Sequence, residues 1–279
     1  MLKSIVYLNA DLAATIALRY ACQLATLTGM EINILHVEPP DTEDHPPGSG
    51  WVRRTWEKGL ISQATEQIGQ VIAMEKDRCP TLAPPKILLG QPQTGILREL
   101  RESDYDLFIT GLLHSFSSQH FYKELHSKFY QQIPCPILMV KNPVELKRAV
   151  ILMDPDETGT AQARTFTRLF KATGVAVDLI TCEFGRAGKA GPEHVDETAL
   201  SVGAMAPEEP VAQTHAILKE GGCLPETVMH LAGLPKVVGD RLAGYQLVLV
   251  SLPHHIGQSS PLLDCLSRVP SALLFCRRS

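Results

Sequence analysis

The stretch GQSSPLLDCL, from Gly257 to Leu266, carries residue types that can hold an anion. Ser259 or Ser260 is placed to cap a helix whose first residue is Pro261, and the amides of a helix's first turn point at whatever stands before it. Gly257 adds a position where backbone N–H groups can crowd round an oxygen anion with no Cβ in the way. Asp154 follows the apolar run RAVILM, and α/β folds place ligands at the ends of such strands. With Asp156 and Glu157 it makes an acidic cluster able to hold magnesium, although Asp156 equally suits the start of the next helix. In the first half, Gly111 ends the apolar run DLFITG, but no second glycine follows in GLLHSFSSQHFYKEL.

Other chemistries find less support. His114, His120, His126, His254 and His255 include no HExxH-like pair, and spacing alone assembles no four-ligand zinc site. The seven cysteines are an odd number without a CxxC pair, which suits free thiols in a reducing compartment. Cys135, between two prolines, reads as core filler. Cys276 has two readings: an exposed thiol whose pKa Arg277 and Arg278 lower, or a packed strand residue, which its context favours. No Ser-His-Asp order and no G-x-S-x-G elbow is present, so no nucleophile, base and orienting group come together.

These residues are positioned by a chain that reads twice. SIVYLNADLAATIALRYACQLATLTGMEINILHVEP aligns with RAVILMDPDETGTAQARTFTRLFKATGVAVDLITCEF, matching Asn9 with Asp154 and Thr28-Gly29 with Thr173-Gly174 at one constant separation. Each half continues with a Gly-x-Pro stretch (Gly90 and Pro92; Gly233 and Pro235), a late apolar strand (DLFITG; QLVLVS) and a last one (IPCPILMV; VPSALLFC). One period spans a whole domain, so tandem duplication accounts for it, with domains at 1–143 and 144–279 joined by the short KNPVELK linker.

Within a half, strand-like and helix-like segments alternate. IVYL, INILHV and KILLG are near-continuous apolar runs, the mark of parallel strands covered on both faces. Residues 14–28 place Leu18, Ala21, Cys22 and Ala25 on one helical face ahead of Gly29, and a second helix from Val52 carries Trp56, Leu60, Ala64, Ile68 and Val71. Residues 41–49 read as a loop, and residues 185–210, rich in glycine, alanine and proline, as the most irregular segment.

The net charge of −4, from 26 basic and 30 acidic residues without a basic run, points away from nucleic acid and from a membrane surface. No apolar run reaches membrane-spanning length, and the opening MLKSIVYLNAD reads as a strand, not a secretory signal.

In order, spacing and duplication, these landmarks resemble the universal stress protein family in its tandem form. They are the strand ending at Asn9 or Asp154, HVEP at His36 to Pro39, Gly90-x-Pro92, DLFITG and IPCPILMV. The resemblance covers almost the whole chain. It implies two tandem Rossmann-like (adenine nucleotide α-hydrolase-like) domains, each a five-stranded parallel sheet flanked by helices. It also implies an intramolecular pseudo-dimer, with Ile137 to Val140 paired to Leu273 to Cys276.

Nucleotide-binding members of that family have an aspartate after the first strand. After the fourth they have a loop of pattern glycine, two residues, glycine, nine residues, glycine, serine or threonine. The first half departs from it: Asn9 stands for the aspartate, only Gly111 is kept, His114 takes the second glycine's place, and Lys123-Glu124 or Glu124-Leu125 the closing pair. Two side chains then occupy glycine places that want no Cβ, and an acidic group repels phosphate. The second half keeps Asp154, Gly257, Ser259 and Ser260, but has Ser251 and His254 at the glycine positions and a shortened loop.

The reading that follows is a cytoplasmic, non-catalytic stress-response or signalling protein acting through a protein partner, self-association or a small ligand. Its first domain carries a vestigial loop (Asn9, Gly111, His114, Lys123, Glu124). The second carries the ligand-binding candidates Asp154, Ser251, His254, Gly257, Ser259 and Ser260. No cofactor is required. The alternatives are a responsive binder of ATP or a related phosphate ligand in the second domain, with magnesium, and a hydrolase with a nonstandard site.

Overall fold

The computed structural model describes residues 1–40, 49–75, 77–79, 82–112, 118–154, 158–184, 200–204, 209–252 and 260–277. The chain divides into two compact α/β units, Met1–Leu113 with Gln132–Pro143, and His114–Gln131 with Val144–Ser279.

The first unit contains β1 (Lys3–Tyr7), α1 (Leu12–Thr28), β2 (Glu31–Glu38), α2 (Trp51–Glu75), β3 (Lys86–Leu89), α3 (Pro92–Glu102), β4 (Leu107–Gly111) and β5 (Ile137–Val140). Its strands pair in parallel in the order β3-β2-β1-β4-β5. The chain thus starts in the middle of the sheet, winds one way, and reverses between β1 and β4. That reversal leaves a crevice beyond the carboxyl ends of those two strands.

Local chemistry fixes the ends of α1. Asp11 accepts from the Ala14 amide at 2.7 Å, and Gly29, at φ 69°, closes the helix in the left-handed region. Between these stops, Ala14, Ala17, Leu18, Tyr20, Ala21, Cys22 and Leu24 are buried. Each large apolar side chain in such a face contributes about 1.5–3 kcal/mol. Pro92 opens α3, where the missing N–H costs nothing. On α2 the buried stripe is Ala64, Ile68 and Val71, while Trp56 and Leu60, predicted on the same stripe, are only half-buried.

The second unit contains β6 (Arg148–Met153), α6 (Thr160–Phe170), β7 (Ala176–Phe184), β8 (Ser201–Ala204), α7 (Glu209–Glu220), β9 (Val228–Gly233), α8 (Pro235–Leu242), β10 (Leu247–Ser251), α9 (Pro261–Arg268) and β11 (Ala272–Cys276). Five strands are parallel in the order β9-β7-β6-β10-β11, and all five residues of β10 and of β11 are buried. The winding reverses here between β6 and β10.

Three features differ from the sequence reading. Residues 185–210 are not irregular throughout: Ser201–Ala204 form β8, an edge strand antiparallel to β9, and α7 begins at Glu209. Pairing to an existing edge satisfies β8's backbone groups despite its glycine. The helix after β6 starts at Thr160 behind Gly159, with no side-chain cap, whereas Asp156 lies outside the described residues. Gly159 suits a tight approach: a Cβ there would stand 2.3 Å from the Met153 sulfur. The crossover from β4 to β5, placed within 1–143 by sequence, groups with the second unit from His114 to Gln131. It carries α4 (Ser118–Leu125) and most of α5 (Lys128–Gln132). The Phe121 ring lies 6.5 Å from that of Phe275 on β11, and Arg277 donates to the Gln131 carbonyl at 3.2 Å.

Candidate functional site

In the second unit Asp154 and Ser251 stand at the carboxyl ends of β6 and β10, on either side of the winding reversal. Asp154 is half-buried, and its charge adds to the burial and to Cys265 in pushing the Cys182 thiol of β7 upward. Ser251 is buried and its Oγ accepts from Gln162 Nε2 at 2.8 Å. Gln162 comes from the first turn of α6 and is 1% exposed, and its Oε1 has no partner among the described residues. A buried amide oxygen left unpaired costs about 1–3 kcal/mol, so this end of the sheet holds an acceptor suited to a donor from a ligand or a water.

Ser260 occupies the N-cap of α9 with Pro261 beginning the helix, but its side chain makes no capping hydrogen bond. His254, His255, Gly257 and Ser259 lie outside the described residues, as do Asp156 and Glu157.

The corresponding end of the first unit is built differently. Asn9 is half-exposed and hydrogen-bonds the Tyr7 phenol, an effect outweighed by burial, which raises the phenol's pKa. Gly111 closes β4 beside Val140 of β5. A Cβ at Gly111 would stand 1.9 Å from the Ala13 carbonyl oxygen, in the first turn of α1. This glycine is therefore required by packing of α1 against the strand end. The two units differ here because α1 begins at Leu12, three residues beyond Asn9, whereas α6 begins at Thr160, six beyond Asp154.

Lys123 and Glu124 sit within α4, among the residues that group with the second unit, while Asn9 and Gly111 belong to the first. Glu124 is in the last turn of its helix, not in the loop that the family pattern places there, and accepts from the Tyr130 hydroxyl at 3.2 Å. His114 is outside the described residues, and so is the side chain of His120.

His126 is buried, with Nδ1 2.9 Å from the Tyr122 carbonyl and its ring stacked on Tyr122 at 4.1 Å. No group of three or more metal-ligating side chains occurs among the described residues. Cys135 is buried. Cys276 is fully buried, and burial pushes its thiol up to about 12, opposite to the lowering its basic neighbours suggest. The Arg277 guanidinium is instead bonded to the Gln131 carbonyl.

A universal stress protein from Archaeoglobus fulgidus DSM 4304 has a structure similar to this chain over 99% of its length and 98% of that protein's, at 13% identity and a TM-score of 0.65. The chain has the universal stress protein fold, in tandem. A functionally unknown protein from Pseudomonas aeruginosa PAO1 is similar at 16% identity and a TM-score of 0.56, over 99% of this chain and 92% of that one. A protein described as of the universal stress protein type, from Pseudomonas aeruginosa UCBPP-PA14, gives 15% identity, a TM-score of 0.54 and the same coverage. At these identities the likeness is one of fold. No protein-family model matches the chain, and no curated protein does.

Within the universal stress protein fold, sequence reasoning named the strand ends but missed Gln162. Its signal was present: at the separation that matches Asn9 with Asp154, Gln162 corresponds to Ala17, a buried small residue of α1. A glutamine on the core face of a helix whose duplicate has alanine is a buried polar group needing a reason.

Proposed function

We propose that the protein is a non-catalytic stress-response or signalling protein whose second unit responds to a small ligand held between the ends of β6 and β10. The observation that carries this reading is the Gln162 amide, buried at that strand end with its nitrogen bonded to Ser251 and its oxygen without a partner among the described residues. Asp154 and Ser251 flank the winding reversal where open parallel sheets receive ligands, and Ser260 stands at the mouth of α9. His254, Gly257 and Ser259 complete the proposed ligand set. The first unit supports the fold, since Ala13 and Gly111 fill its equivalent corner with packed backbone.

ATP or a related nucleotide, with magnesium, is the second reading. It is favoured by Ser260, whose hydroxyl leaves the first-turn amides of α9 to another acceptor, and by Asp154 at the strand end. The free thiols and the absence, among the described residues, of any helix long and apolar enough to cross a membrane support placing the protein in the cytoplasm.

Native mass spectrometry of freshly purified protein, followed by titration with ATP, ADP and AMP, tests both readings. A retained small-molecule adduct lost in Gln162→Leu supports the proposal. A saturable nucleotide complex lost in Ser260→Glu, whose carboxylate competes for the α9 amides, supports the nucleotide form. No adduct of either kind at millimolar nucleotide overturns the ligand reading and leaves protein partners or self-association.

A further inference from the structure

Away from the strand ends, the first unit holds a pair of thiols that the proposed function does not use. Arg19 of α1 donates through Nε and Nη2 to Glu75 Oε1, at 3.0 and 2.6 Å, and Arg78 reaches Glu75 Oε2 at 3.3 Å. The Glu75 side chain is fully buried, so this contact sets the register of α1 against the end of α2. One turn beyond Arg19 is Cys22, and one turn beyond Glu75 is Cys79, whose N–H donates to the Glu75 carbonyl at 3.1 Å. The register therefore sets Cys22 beside Cys79: burial, and after it the neighbouring Cys79 thiol, push the Cys22 thiol up, and the residues are 2% and 3% exposed.

We propose that Cys22 and Cys79 form a reversible disulfide, tying α1 to the chain leaving α2, when the protein meets a peroxide. The step balances with hydrogen peroxide as oxidant. The Cys79 sulfur, beside Arg78, attacks one peroxide oxygen; the S–O bond forms, the O–O bond breaks, and the departing hydroxide leaves as water with the thiol proton. The Cys22 sulfur then attacks the sulfenic sulfur; the S–S bond forms, the S–O bond breaks, and the Cys22 proton leaves with the hydroxide as a second water. Two thiols lose two electrons and one peroxide gains them.

Burial sets the kinetics. Both thiols are shielded, and burial raises the Cys22 pKa, so oxidation proceeds through local opening of the turn after α2 and is slow. The same shielding protects the finished disulfide from reductant. Because the bridge closes a long loop, it stabilises the first unit by restricting its unfolded chain.

The test is peptide mapping of the full-length protein, reduced or treated with hydrogen peroxide while folded, then alkylated after denaturation. A Cys22–Cys79 linked peptide is expected, with two fewer alkylated thiols and a mass lower by two hydrogens, all reversed by dithiothreitol. Oxidised protein should melt higher than reduced protein, and Cys22→Ser and Cys79→Ser should each abolish the linked peptide and the shift. Cys223, the one cysteine that is not buried, is replaced by serine in a parallel sample to exclude bridges between molecules. The proposal is overturned if all the thiols remain alkylatable, if the bridge joins another pair, or if oxidation stops at sulfenic or sulfinic acid. Mapping of the unsubstituted protein decides this even where a serine variant fails to fold.

Discussion

The Ala13 carbonyl oxygen lies where a side chain on Gly111 would have to go, 1.9 Å from an ideal Cβ. The contact is between two backbones, so neither can move without shifting α1 or β4. Gly111→Ala is expected to destabilise the protein by about 2 kcal/mol or more through overpacking. Urea unfolding measures it, and a variant within about 0.5 kcal/mol of the parent would show that α1 is not held against the strand end.

Gln162→Leu removes one hydrogen bond, to Ser251, and one buried oxygen that has no partner among the described residues. These effects have opposite sign and similar size, so the ligand-free protein should change by no more than about 1 kcal/mol. A loss well above that would mean that the amide oxygen has a partner in the folded protein even without ligand.

Glu75 is fully buried between two arginines whose side chains are 40% and 61% exposed. Arg19→Met leaves the carboxylate with Arg78 alone and is expected to cost about 2 kcal/mol, discounted for the exposure of the arginines. Adding Glu75→Met should recover much of the loss, because the uncompensated buried charge is gone. Additive losses in the double-mutant cycle would contradict the pairing.

The Tyr105 phenol is pushed up to about 12 by burial and by the neighbouring Glu99 carboxylate, which accepts its hydrogen at 3.1 Å. A raised folded-state pKa means that the folded chain holds the proton more tightly than the unfolded one. Its contribution to stability is thus complete below the ordinary phenol value of 10.0 and is lost as pH rises toward 12. Cys276 follows the same sign from 9.0 upward. Melting temperature should fall with pH above about 9, and Tyr105→Phe should flatten the slope between 10 and 12. Parallel curves for the two proteins would remove Tyr105 from the account.

Much of this molecule is legible in its residues. The Thr-Gly turns, the Gly-x-Pro openings of α3 and α8, and the uninterrupted apolar strands depend on φ preference, the missing proline N–H and two-sided burial. All three act within a few residues of the chain, and the repeat doubles each signal. The duplication thus announces two parallel α/β units before any contact is known.

What the sequence could not supply is distance between segments. Gly111 looks the same whether a phosphate or a helix carbonyl demands it, and only the early start of α1 decides for the carbonyl. Lys123 and Glu124 align with a loop by count, yet their apolar neighbours Phe121 and Leu125 are buried and the segment forms α4. Gln162 finds Ser251, Glu75 finds Arg19, and Cys22 finds Cys79 only once the sheet has set which helices meet. Backbone preference and hydrophobic period are local properties of the chain, whereas close approach, shared burial and unpaired polar atoms arise only from packing residues far apart in sequence.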